Sequence, residues 1–131
     1  MLLEQFRKYT EAGDFDALAD LYAEDALLDA NVPAWRFQRR GRAEIRDQYS
    51  QWYPRGGPNL VEWRVQPAPW GAVVELAEKF IAGTPKELYA RAIEVLVIES
   101  DLITQHTVYC TGPWDSDTVA RHQAVAPMAR P

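Results

Sequence analysis

Glu94 and His106 lie on either side of Ser100 and Asp101, two residues that suit the turn of a hairpin. Leu88, Ala90, Ala92, Glu94, Leu96 and Ile98 alternate onto one strand face, so the carboxylate is centred in an apolar row. Left unpaired there it would cost several kcal/mol. A turn at Ser100 pairs residues whose numbers sum to roughly 200, which sets Glu94 directly across from His106. Leu102, Thr104, His106 and Val108 form the matching face. A carboxylate beside an imidazole holds the ring in one tautomer and tunes it as an acid–base pair. The same two residues would equally serve as a satisfied structural pair within the sheet.

DALLDANVPAWRF, residues 25–37, offers a second polar pair. Asp29 and Asn31 project from one face, while Leu28, Ala30 and Val32 form an apolar opposite face. Facing inward, the carboxylate and carboxamide would hold a carbonyl, a hydroxyl or a water opposite Glu94 and His106. Facing the chain itself, they would cap the turn into Pro33. Trp35, Trp52 and Tyr53 follow the strand and the helix that frame the mouth of such a pocket and are candidate walls. The basic run Arg36–Arg46 reads either as a solvated surface paired with nearby acids or as an anion trap.

Other chemistries find little support. Zinc-ligand spacing, a phosphate-binding glycine loop and a nucleophile elbow are all missing, so neither a metal nor a cofactor is expected. A net charge of −5 provides no general attraction to nucleic acid or anionic lipid. The single cysteine, Cys110, cannot form an internal disulfide. Glu4 interrupts what would have to be an apolar leader, and no run reaches the roughly 18–20 apolar residues of a membrane span. A cytoplasmic location follows as an expectation.

The elements that would position these residues follow from hydrophobic period. Leu2, Phe6 and Tyr9 share a helical face that Gly13 ends. Asp14 caps a second helix expected to carry Phe15, Leu18 and Tyr22. Ile45, Tyr49, Trp52 and Tyr53 mark a third helix, stopped by PRGGP. Alternation then takes over from Val61 through Thr111. Pro113, Pro127 and Pro131 exclude one continuous helix in the tail, which is expected to pack in extended or briefly helical form. Helices followed by a long antiparallel sheet define an α+β fold, a curved sheet wrapped over three N-terminal helices as a cone. One domain, 1–131, is expected, with 113–131 as a C-terminal extension.

GDFDALADLYAEDALLDANVP, the glycine-led helix and the closing DLITQHTVYCTGPWD resemble the nuclear transport factor 2-like superfamily. Within it the sequence is similar to the SnoaL-like branch, which includes polyketide cyclases, ketosteroid isomerases and limonene epoxide hydrolases. The resemblance implies a cone-shaped α+β barrel, a homodimer, and a pocket at the wide end. It carries over unevenly. Phe6 stands where isomerases have a tyrosine, Ala30 with Asp29 beside it where they have a base, and Glu94 where they have a second oxyanion donor. Aligned on NVP, Asp29 and Asn31 take the water-holding places of epoxide hydrolases. Ala92 and Val108 replace those enzymes' arginine and last-strand carboxylate. Two functions stay open. One is acid–base chemistry on a small, largely apolar molecule through Asp29, Glu94 and His106, without a cofactor. The other is a non-catalytic ligand-binding or dimerisation module.

Overall fold

The structure is a computed structural model that describes residues 1–130; Pro131 lies outside the described residues. α1 (Leu2–Ala12) buries Phe6 and Thr10 and ends at Gly13, whose left-handed backbone (φ 70°) closes the helix. α2 is shorter than expected, Phe15–Ala19, with the Asp14 side chain accepting from Ala17 N at 3.1 Å. Tyr22 therefore starts a strand, β1 (Tyr22–Val32), instead of closing a helix. β2 (Trp35–Arg40) returns beside it, and α3 (Arg42–Trp52) buries Ile45, Gln48 and Tyr49.

Four long strands follow: β3 (Asn59–Ala68), β4 (Gly71–Phe80), β5 (Leu88–Glu99) and β6 (Leu102–Cys110). A short β7 (Trp114–Asp115) leads into α4 (Ser116–Val125). The described residues build one curved, open sheet in the order β2-β1-β6-β5-β4-β3, with β7 paired to β5. All neighbours are antiparallel except β1 and β6, which run parallel. The architecture is thus α+β, with α1, α2 and α3 over the concave face. Phe6, Leu18, Tyr22, Leu28, Ile45, Leu96 and Ile103 meet there as the core.

Two local features shape the site. Ser100 and Asp101, at φ 52° and 61°, form the tight two-residue turn that matches strand twist. A bulge then separates Val97 from Ile98 in the register: Ile98 pairs with Ile103, but Val97 pairs with Gln105. The extra residue on β6 reverses its alternation, so both Ile103 and His106 point inward at 0 % exposure. The second feature is the turn at Gly56 and Gly57, which presses on the end of α1. A Cβ on Gly57 would overlap the carbonyls of Thr10 and Glu11, so only glycine allows this approach.

The tail is briefly helical, as its prolines and apolar residues imply. The Asp115 side chain caps α4 by accepting from Thr118 N at 2.8 Å. Trp114 stacks on Tyr89 with ring centroids 6.2 Å apart. Arg130 reaches Glu62 and Glu75 at 3.3 and 3.1 Å. No residue of α4 is buried, and Val125 and Met128 remain exposed.

Candidate functional site

Between the concave face of the sheet, α3 and the loops at the open end lies a cavity of about 1360 Å³. Its room has a sequence origin. The inward positions of β5 below Glu94 are Ala92 and Ala90, side chains too small to fill the cone. Leu76, Val108 and Phe80 complete walls that are mainly apolar, and the segment 54–59 with residues 80–82 forms much of the rim.

Glu94 lines this cavity. Its Oε1 lies 3.3 Å from His106 Nε2, but the contact lacks hydrogen-bond geometry, so Nε2 and the other oxygen, Oε2, are left without a hydrogen-bond partner. The two residues are not directly opposed. Glu94 pairs with Val108 and Leu96 with His106, because the β6 bulge moves the register by one from that of the bare turn. They meet diagonally across the strands. Behind the ring, Tyr22 Oη is 2.7 Å from His106 Nδ1 and 3.4 Å from Tyr49 Oη. In the Nε2–H tautomer, Nδ1 accepts from the Tyr22 hydroxyl. Phe6 packs edge-on against the imidazole at 5.7 Å. His106 is fully enclosed and does not line the cavity; it touches the cavity wall directly at Glu94 and, through the Tyr22 hydroxyl, at Tyr49.

The cavity holds a second carboxylate, Glu78. It alternates with Val74, Leu76 and Phe80 along one face of β4. It is 5 % exposed and lines the cavity from β4. Burial, and to a lesser degree the nearby Glu94, push its carboxyl up from 4.5 to about 7, against the opposing effect of Tyr53, which donates its hydroxyl at 2.7 Å. Burial also drives the hydroxyls of Tyr22, Tyr49 and Tyr53 upward, so they remain protonated donors. The Cys110 thiol is half-buried on the wall, is raised by burial, and accepts from Gly112 N at 3.3 Å.

Asp29 and Asn31 do not enter this space, contrary to the inward placement read from sequence. The wholly apolar face of β1 is the one turned inward: Ala26, Leu28 and Ala30 are each 0 % exposed. Burying that face gains the most, which sends the polar residues to the other side. There Asp29 accepts two hydrogen bonds from Arg36, at 3.0 and 2.7 Å, which hold its carboxyl below the ordinary range. Asn31 Nδ2 donates to Val108 O at 3.2 Å, so it braces the β1–β6 pairing inside the sheet and does not cap a turn. Trp35 opens β2 at 65 % exposure and is not a wall. Trp52 and Tyr53 do line the cavity. The basic run is dispersed: Arg39 reaches Gln48, Arg42 the Tyr22 carbonyl, and Arg46 both Asp16 and Asp47.

A SnoaL-like domain model matches residues 3–106. The chain belongs to the SnoaL-like family. Solved structures give the same fold at low identity. A candidate polyketide cyclase from Pseudomonas putida is 18 % identical, with 92 % of this chain and 93 % of that one covered and a TM-score of 0.68. An LEH-like epoxide hydrolase of M. tuberculosis is 17 % identical, with 97 % and 94 % covered and a TM-score of 0.66. A Catenulispora acidiphila protein with a ketosteroid isomerase-like fold, bound to trimethylamine, is 15 % identical, with 94 % and 92 % covered and a TM-score of 0.66. No curated protein matches this SnoaL-like chain in sequence. No helix among the described residues is long and apolar enough to cross a membrane.

Proposed function

We propose that this SnoaL-like protein takes a small, largely apolar molecule into the cavity and moves a proton on it, with Glu94 as the base and Glu78 as the acid. The observation that carries the reading is Glu94 Oε2, a buried carboxylate oxygen with no hydrogen-bond partner, on a residue that lines an apolar cavity. An unsatisfied oxygen of this kind costs of order 1–3 kcal/mol, which a bound acidic C–H, N–H or O–H group recovers once the Glu94 side chain turns Oε2 toward the cavity it lines. Two carboxylates in one apolar space resist ionising together. Glu78, raised to about 7, is the one suited to hold a proton near neutrality and return it. Tyr53 positions Glu78, and the Tyr22–His106 pair positions Glu94. Asp29 drops out of the set.

The ketone decalone in D2O provides the test. Glu94 should exchange the hydrogens beside the carbonyl for deuterium, followed by NMR. Glu94→Gln should lower the exchange about 100-fold or more, while leaving decalone bound. Equal exchange by both proteins would overturn the assignment. Binding without chemistry is the second reading, favoured by the burial of Oε2 itself. It predicts that decalone binds and that neither protein exchanges it. The expected homodimer is proposed to form across the outer face of the sheet, where Ile93 and Tyr109 are paired neighbours, 45 % and 55 % exposed. A cytoplasmic setting remains part of the same proposal.

A further inference from the structure

We infer that the molecule the cavity accepts carries a basic nitrogen and enters as an organic ammonium ion. This rests on the reading of the cavity as a small-molecule site and adds the ligand's charge class. Three features converge. First, the acidic residues on the cavity wall are Glu78 and Glu94, and the cationic ones are Arg55 and Lys79. Arg55 is exposed in the rim turn, and Lys79 Nζ is drawn to Glu87 Oε2 at 3.5 Å. Neither charge is committed to the buried acids, so an anionic ligand would meet like charge where water is scarce.

Second, four aromatic rings line the same space. Tyr49 and Trp52 meet nearly edge-to-face, 5.4 Å apart at 72°. Tyr53 and Phe80 stack 5.5 Å apart at 17°. Rings of more than one orientation thus line the cavity, and an aromatic ring attracts a cation through its quadrupole wherever its face is open. An apolar pocket of aliphatic residues would lack this feature.

Third, Glu94 Oε2 is unpartnered and buried. A neutral carbonyl cannot donate to it, and an alcohol donates without offsetting the charge. An ammonium does both, through a charge-assisted hydrogen bond to the Glu94 carboxylate, whose Oε2 reaches the cavity when the side chain rotates. One oxygen of Glu94 then holds the nitrogen, its other oxygen remains to take a proton from a neighbouring atom, and Glu78 keeps the proton to be returned. The ammonium is thus the recognition handle, and the apolar walls take the body of the molecule.

The test uses an amine, a ketone and a carboxylate built on one decalin skeleton, titrated into the full chain by calorimetry. The amine should bind about tenfold or more tightly than the ketone, and the carboxylate should bind most weakly. Glu78→Gln combined with Glu94→Gln should bring the amine level with the ketone. The ranking in the wild-type protein decides the matter even if that variant folds poorly. A ketone or carboxylate that binds as tightly as the amine overturns the ammonium inference and leaves the small-molecule reading standing. If none of the three binds, both fall.

Discussion

Glu78 shows how far one residue's chemistry departs from its sequence appearance. Its folded carboxyl titrates at about 7 against an ordinary 4.5, so the folded chain holds the proton more tightly than the unfolded one. The Glu78 contribution to stability is therefore fully present below about pH 4.5 and is lost as pH rises from there through about 7. The loss amounts to about 3 kcal/mol in alkaline solution. Glu78→Gln should raise the melting temperature well above neutrality and do little near pH 5. Asp29→Asn, which weakens contacts with Arg36 and Gln38 outside the cavity, should barely lower the melting temperature and leave decalone exchange unchanged. The sequence contained the signal for Glu78, a carboxylate alternating with Val74, Leu76 and Phe80 exactly as Glu94 alternates with Ala92 and Leu96. What it lacked was any measure of which strands lie deep in the cone. Asp29 failed for the opposite reason: an apolar strand face identifies the side worth burying, and the polar face was given that place instead.

At the scale of elements, period and turn chemistry made most of the fold legible. The helix ends at Gly13 and after Trp52, the hairpin at Ser100–Asp101 and the long strands all lie where apolar spacing and turn residues put them. Tyr22 fitted a helical spacing from Phe15 and Leu18, but the helix stops at Ala19 and the tyrosine serves β1, with its hydroxyl on His106. The β6 bulge had no sequence mark, since Ile103 and Thr104 suit either face of a strand. It is this bulge that makes Glu94 and His106 diagonal neighbours. The tail tests a different point. None of α4 is buried, and its Arg130 contacts are partly exposed ion pairs. Removing residues 116–131 should lower the melting temperature by only a few degrees and leave ligand binding intact. A cooperative collapse of the fold on truncation would show that α4 carries far more than its contacts suggest.

For the whole molecule, the concave face holds the core and the cavity, and the convex face is left to solvent or a partner. The exposed pair Ile93 and Tyr109 lies near the centre of that outer face, on β5 and β6. Sedimentation at micromolar concentration should show a dimer, and Ile93→Glu with Tyr109→Glu should give a monomer; a monomeric wild-type chain would remove the proposed interface. The central claim, that Glu78 and Glu94 share one apolar space and that the neighbouring Glu94 helps to keep a proton on Glu78, is tested most directly by carboxyl-carbon NMR titration of the Glu78 side chain. Glu78 should titrate at about 7 in the wild-type protein and move down in Glu94→Gln, where the neighbouring charge that helps to raise it is gone. A Glu78 carboxyl that titrates in the ordinary range near 4.5 and ignores the substitution would contradict it.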